Sequence, residues 1–134
     1  MLLRLLPEQG GDGTISGIIV MNDTGSDVLT LFNTDLAELG NIQAYAGWLG
    51  MAAISGANGA IDWCPMLAVQ VQLVRNDLSS WSEWIDETAI IRPLVPGILR
   101  LSGVGIREQL YFGTAPGNAT LAVSATKCGL SSLL

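Results

Sequence analysis

The stretch "MNDTGSDVLTLF", residues 21–32, sets one carboxylate, Asp23, between an apolar run and a Thr24-Gly25 pair, with Ser26 and a second acid, Asp27, directly after. A carboxylate in that setting has two uses. It can exchange protons with water and substrate as a general acid or base, or it can open a β-turn, for which Asp and Gly are ordinary residues. The composition narrows the chemistry further. The chain has no histidine, so Ser-His-Asp and Cys-His catalysis lack their imidazole base, and a zinc hydrolase lacks its usual ligands. Carboxylate, hydroxyl or lysine chemistry is what remains. Asp12 and Asp62 offer an alternative carboxylate site, yet neither stands where a strand runs into a turn, and Asp86-Glu87 reads as a solvated turn.

The chain has 134 residues, half of them apolar, only 13% charged, with 16 glycines. That length suits one domain, and the mixture suits a compact β-rich protein better than a helical bundle or a disordered chain. Twelve acids against six bases give a net charge of −6, so an extended contact with phosphate backbones is not expected and nucleic acid is a poor partner. No stretch reaches the roughly 20 apolar residues of a membrane helix, and the opening "MLLRLL" is too short for a signal-peptide core. The expectation is a soluble cytoplasmic protein without membrane contact. Cys64 and Cys128 lack metal-site spacing and read as free thiols in a reducing compartment. Sequons at Asn22 and Asn118 weigh against secretion, because a glycan on Asn22 would cover the Asp23 turn.

The elements that must position Asp23 follow from patterning. "GTISGIIVM" (13–21) is β-branched and apolar and reads as a buried strand that stops at Asp23. "VLTLF" (28–32) continues extended, and "NTDLAELG" (33–40) carries a capping residue, a short helical turn and a terminal Gly40. Asn58-Gly59, flanked by apolar residues, predicts a projecting hairpin with positive φ at its tip. "MLAVQVQLV" (66–74) alternates, with Leu67, Val69, Val71 and Leu73 on one face. "IDETAIIRP" (85–93) and "ILRLSG" (98–103) are predicted as extended, "VGIREQLYF" (104–112) as the one helix, and "ATLAVSATKCGL" (119–130) as a last strand. The four tryptophans, Trp48, Trp63, Trp81 and Trp84, read as core or hairpin packing.

Taken in order, an apolar strand, Asp23-Thr24-Gly25-Ser26, the acid Asp27, a Gly-rich hairpin at Ser55, Gly56, Ala57, Asn58 and Gly59, an alternating strand and a Gly ahead of a single helix resemble the retropepsins. These are the single-domain aspartic peptidases of retroviruses and retroelements. The resemblance covers about residues 13–112, and its strong motif is Asp-Thr-Gly-Ser. It implies an all-β, closed β-barrel of the acid-protease type with one short helix in the second half, one domain over residues 1–134 with its core at about 13–126, working as a two-fold homodimer. It implies aspartic endopeptidase activity on extended polypeptides, with no metal and no cofactor. Asp23, Thr24 and Gly25 match the catalytic triplet. Ser26, Asp27 and the hairpin residues 55–59 match the parts that hold substrate.

Two close carboxylates cannot both ionise, so such a pair keeps one proton, activates a water with one member and protonates the scissile carbonyl with the other. The echo of the motif in the second half, Leu101-Ser102-Gly103, has no acid, so the resemblance implies a dyad made from Asp23 of two copies. Two departures stand out. Polar Asn22 precedes Asp23 where the family carries an apolar residue, and Val104 follows Gly103 where the family often carries an arginine that pairs with the acid at the Asp27 position. Arg107 or Arg100 would have to take that arginine's place. The alternative function is a catalytically weak or inactive dimer that binds peptide or serves oligomerisation. A plain β-barrel binding protein with a chance motif is a third.

Overall fold

The computed structural model describes residues 1–133. Strands take 39% of the chain and helices 18%. In chain order the strands are β1 (Leu2–Leu5), β2 (Ser16–Gly17), β3 (Val20–Met21), β4 (Leu29–Phe32), β5 (Trp48–Ser55), β6 (Ile61–Gln72), β7 (Ile85–Arg92), β8 (Arg100–Leu101), β9 (Tyr111–Thr114) and β10 (Leu121–Ser124). The α-helices are α1 (Gly105–Gln109) and α2 (Lys127–Leu133), and short 3-10 segments occupy Pro7–Gln9, Asn33–Glu38 and Ile42–Ala44.

The main sheet has the order β2-β1-β6-β7-β4, with β5 added along the outer half of β6. Its centre is β6, whose alternation is the clearest signal in the sequence. Leu67, Val69 and Val71 are fully buried while Ala68, Gln70 and Gln72 are half-exposed, the division expected of a strand with one face on the core. Leu3 and Leu5 of β1, Leu29 and Leu31 of β4, and Ile85, Ala89 and Ile91 of β7 join them. The core therefore begins ahead of residue 13. Each such leucine is worth about 2–5 kcal/mol against alanine.

The expected all-β closed barrel is not what forms. The sheets are mixed, and none closes; β4 and β2 end the main sheet without pairing to each other. The physical reason lies in residues 13–21, predicted as one buried strand. They break into β2, antiparallel to β1, and β3, parallel to β8. The chain changes partners at Ile18, which is buried, and Ile19, which is 83% exposed. A strand that pairs for two residues on each side cannot carry a continuous ladder around a barrel.

The second half departs from expectation as well. Helix α1 stops at Gln109, and Tyr111 and Phe112, predicted to lie on it, belong to β9. The predicted last strand holds only for Leu121–Ser124, antiparallel to β9, after which the chain turns into a second helix, α2. The tail thus finds its partner inside the chain. None of the four tryptophans is buried: Trp63 is 69% exposed, and Trp84 lies under Arg4, whose guanidinium carbon is 4.1 Å from the ring centroid. Cys64 is buried and Cys128 exposed, both as free thiols. Among the described residues no helix is long and apolar enough to cross a membrane.

Candidate functional site

Two parallel strand pairs bracket the Asp23 turn. Before it, β3 runs beside β8 with Val20 opposite Arg100 and Met21 opposite Leu101. After it, β4 runs beside β7 with Leu29 opposite Ala89 and Leu31 opposite Ile91. Residues 22–28 span the gap between the two pairs, and residues 102–105 pass alongside, with Ser102 N donating to Met21 O (2.9 Å) and Val104 N to Asp27 O (3.3 Å).

Within the turn, Gly25 N donates to Asp23 Oδ1 (2.8 Å) and Ser26 N to Asp23 O (3.4 Å). The turn-opening use of this carboxylate is therefore real, and it occupies one oxygen. Among the described residues Oδ2 accepts no hydrogen bond. Asp23 is half-exposed, whereas Thr24, Gly25 and Asp27 are exposed. A Cβ on Gly25 would come within 3.3 Å of Asp23 Oδ1, so glycine keeps the turn tight. Ser26 Oγ donates to Val28 O (2.7 Å), leading the chain into β4.

The backbone of the turn is held from the far end of the chain. Ser102, 1% exposed, accepts at Oγ from Asp23 N (3.0 Å) and from Arg107 Nη1 (3.1 Å). Arg107 Nη1 also donates to Asp23 O (2.7 Å), and Nη2 donates to Ser26 O. The segment without an acid thus supplies a hydroxyl and a guanidinium that position the acid. Neither candidate arginine pairs with Asp27. Arg100 binds Asp35 instead, and Arg107 is taken up by the turn's carbonyls. Asp27 lines an open cavity of about 360 Å³ with Val28, Asp86, Glu87, Val104 and Glu108. Asn22 Oδ1 is buried with no hydrogen-bond partner among the described residues.

The solvated-turn reading of Asp86-Glu87 is corrected at Glu87. This residue sits inside β7, is buried, and accepts from Gly105 N at Oε2 (3.1 Å) and Ile106 N at Oε1 (2.9 Å). Burial pushes its carboxyl above the ordinary glutamate range, and the two amides and Arg107 offset this only in part. The signal was in the sequence: Ile85, Glu87, Ala89 and Ile91 share one phase of the strand period, so Glu87 had to face inward with them.

Ser55, Gly56, Ala57, Asn58 and Gly59 form the tip of the β5–β6 hairpin, closed by Ser55 opposite Ile61. Gly59 N donates to Gly56 O (2.9 Å), Gly56 N to Ala60 O (2.9 Å) and Ala60 N to Asn58 Oδ1 (3.0 Å). Gly59 takes φ 77° while Asn58 stays outside the left-handed region, so the loop is five residues closed by a glycine rather than a two-residue turn. Met51, Ile61 and Trp63 share one exposed face of this hairpin. No hydrogen bond among the described residues links the tip to the Asp23 turn, so the ten predicted site residues fall into two groups. Ser102 and Arg107, which hold the backbone of the turn, and Glu87, which holds the amides of Gly105 and Ile106, are residues that the motif alone does not name.

No protein-family model, curated protein or solved structure matches the chain.

Proposed function

We propose that the chain is an aspartic endopeptidase acting on extended polypeptides, with a catalytic dyad formed by Asp23 of two copies related by a two-fold axis. One carboxylate takes a proton from water as the water oxygen attacks the scissile carbonyl, and the other gives its proton to the carbonyl oxygen. The observation that supports this most is how Asp23 is held: Ser102 and Arg107 fix its backbone, Gly25 binds one carboxylate oxygen, and the other oxygen is left without a partner on a half-exposed side chain. A residue that only caps a turn needs no buried hydroxyl and no arginine from 84 positions away. The Asp23-Thr24-Gly25-Ser26 resemblance to retropepsins adds to the reading, as does the apolar face of Met51, Ile61 and Trp63 on a projecting hairpin. Ser26, Asp27 and the hairpin tip are the substrate-holding parts on this reading. Its setting is intracellular and reducing, where Cys64 and Cys128 stay as thiols.

A dimer that binds peptide without cutting it is the second reading. The unpaired Asn22 Oδ1 and the lack of an arginine against Asp27 favour it.

The test is peptide-library cleavage by wild type and Asp23→Asn, with light scattering on both. The expected result is a dimer that cleaves best in acid and loses cleavage as pH rises, and an Asp23→Asn dimer that does not cleave. A strictly monomeric wild type rules out the shared dyad; a dimer inert at every pH leaves the binding reading; Asp23→Asn with wild-type cleavage places the chemistry elsewhere.

A further inference from the structure

Helix α1 is five residues long and begins after Val104, whose side chain makes no capping hydrogen bond. A helix this short has no stability of its own, and its first amides have no partner within the helix. Gly105 N and Ile106 N find theirs in Glu87, on the central part of the main sheet, 18 and 19 residues earlier in sequence. The contact is built tightly. A Cβ at Gly105 would meet the carbonyl of Asp86 and the Glu87 carboxyl, and one at Gly103 would meet the same carboxyl from the other side. One residue beyond Ile106 stands Arg107, whose guanidinium reaches Asp23 O, Ser26 O and Ser102 Oγ.

We propose that Glu87 is a positioning residue for Asp23: by binding the amides of Gly105 and Ile106 it sets α1 at the one place from which Arg107 can grip both carbonyls of the Asp23 turn. The carboxyl group suits the task in either protonation state, because each oxygen serves one amide and an O–H oxygen keeps a lone pair to accept with. A glutamine in its place keeps one acceptor and turns an N–H₂ group against the other amide, so one bond becomes a donor–donor contact. Release of α1 by about an ångström carries the N–H bonds of Arg107 to the two carbonyls beyond the normal range. The catalytic consequence rests on the peptidase reading; the link from Glu87 to the turn stands on geometry alone.

The experiment compares wild type, Glu87→Gln, Arg107→Lys and the double variant by amide hydrogen exchange, with Val69 and Val71 of β6 as internal controls. Each single variant is expected to speed exchange at Gly25 and Ser26 by about tenfold, with the β6 amides unchanged. The double variant is expected to add little to either single, because both act on one link. Arg107→Lys alone should leave Gly105 and Ile106 as protected as in wild type, since Glu87 still holds them. Multiplying effects in the double variant, or acceleration spread evenly over β6, overturns the proposal. Should Glu87→Gln fail to fold, the Arg107→Lys pattern decides: equal loosening of Gly105, Ile106, Gly25 and Ser26 contradicts the direction of the relay. In a wild type that cleaves peptide, Glu87→Gln lowers kcat with KM unchanged, and an unaltered kcat overturns the catalytic part. A wild type that cleaves nothing overturns the peptidase reading, and the exchange pattern still decides the role of Glu87.

Discussion

Arg100 and Asp35, 65 positions apart, face each other through two parallel bonds, Nε to Oδ2 at 2.8 Å and Nη2 to Oδ1 at 2.7 Å. Phe32 N adds a third bond to Oδ2 (2.8 Å), and the guanidinium lies over the Phe32 ring, 5.1 Å from its centroid. Burial works against the charge on Asp35, but the arginine fork, the Phe32 amide and the positive charge of Arg100 outweigh it and hold the carboxyl below the ordinary range. The pair fastens the entry to β8 onto the end of β4, one strand on each side of the Asp23 turn.

Removing one partner of so enclosed a pair strands the other. Arg100→Met should destabilise the protein by about 3 kcal/mol, which for a chain of this size lowers Tm by about 10 °C. Thermal unfolding followed by circular dichroism reads this, and an unchanged Tm would show the pair to be a surface ornament.

The raised carboxyl of Glu87 ties stability to pH with a definite sign. Above the ordinary glutamate value the unfolded chain gives up a proton that the folded chain keeps, so the contribution of Glu87 is full in acid and is lost as pH rises through the raised folded value. Asp35 runs the other way, its contribution being present at neutral pH and lost as pH falls through its lowered value. Because Glu87→Gln keeps Asp35, the Asp35 effect cancels in the comparison. The urea midpoint of wild type should exceed that of Glu87→Gln most at and below the ordinary glutamate value, with the gap closing as pH rises above it. A gap that widens with pH would reverse the assignment.

Glycines in this chain are not equivalent. At Gly103 a Cβ would collide with the Glu87 carboxylate and come within 2.9 Å of Leu29 N, whereas at Gly17 nothing lies within 4 Å. Gly103→Ala should therefore cost about 2–3 kcal/mol, and Gly17→Ala less than about 0.5 kcal/mol. Chemical denaturation of the two variants checks the contrast, and equal costs would contradict it.

Amide exchange should be fastest at the hairpin tip. Ala57 and Asn58 are exposed and bury nothing, while the amides of Leu67, Val69 and Val71 lie on a strand bonded on both sides. Protection at Ala57 equal to that at Val69 in the isolated protein would mean that something covers the tip.

Where one residue alone sets its environment, the sequence could be read directly. The alternation of β6 puts Leu67, Val69 and Val71 inside because side chains on a strand have a period of two, and no distant residue changes that. The Asp23 turn was legible for the same reason, since Asp, Gly and Ser each favour a turn locally. What holds the turn was not. Of the two arginines that could stand beside Asp27, Arg107 binds carbonyls and Arg100 binds Asp35, and Glu87, which reads in sequence as part of a solvated turn, is buried against two amides. Each of these depends on which strands run side by side, a property of the assembled sheet. The barrel expectation failed on the same ground, because two residues at β2 and two at β3 pair with different sheets.

The crossing of β3 with β8 and of β4 with β7 also fixes when the turn can exist. Its parallel neighbours begin at residues 85 and 100, and its guanidinium sits at residue 107. Parallel pairings this far apart in sequence carry a large loop-closure cost and belong to the slow end of folding, on the order of milliseconds to seconds. During synthesis at roughly 5–20 residues per second, Asp23 leaves the ribosome several seconds before Arg107 does. For that interval the β5–β6 hairpin can form from neighbours alone, while the acidic turn lacks its partners, so a nascent chain carries its hairpin early and the held form of the Asp23 turn only after Arg107 has emerged.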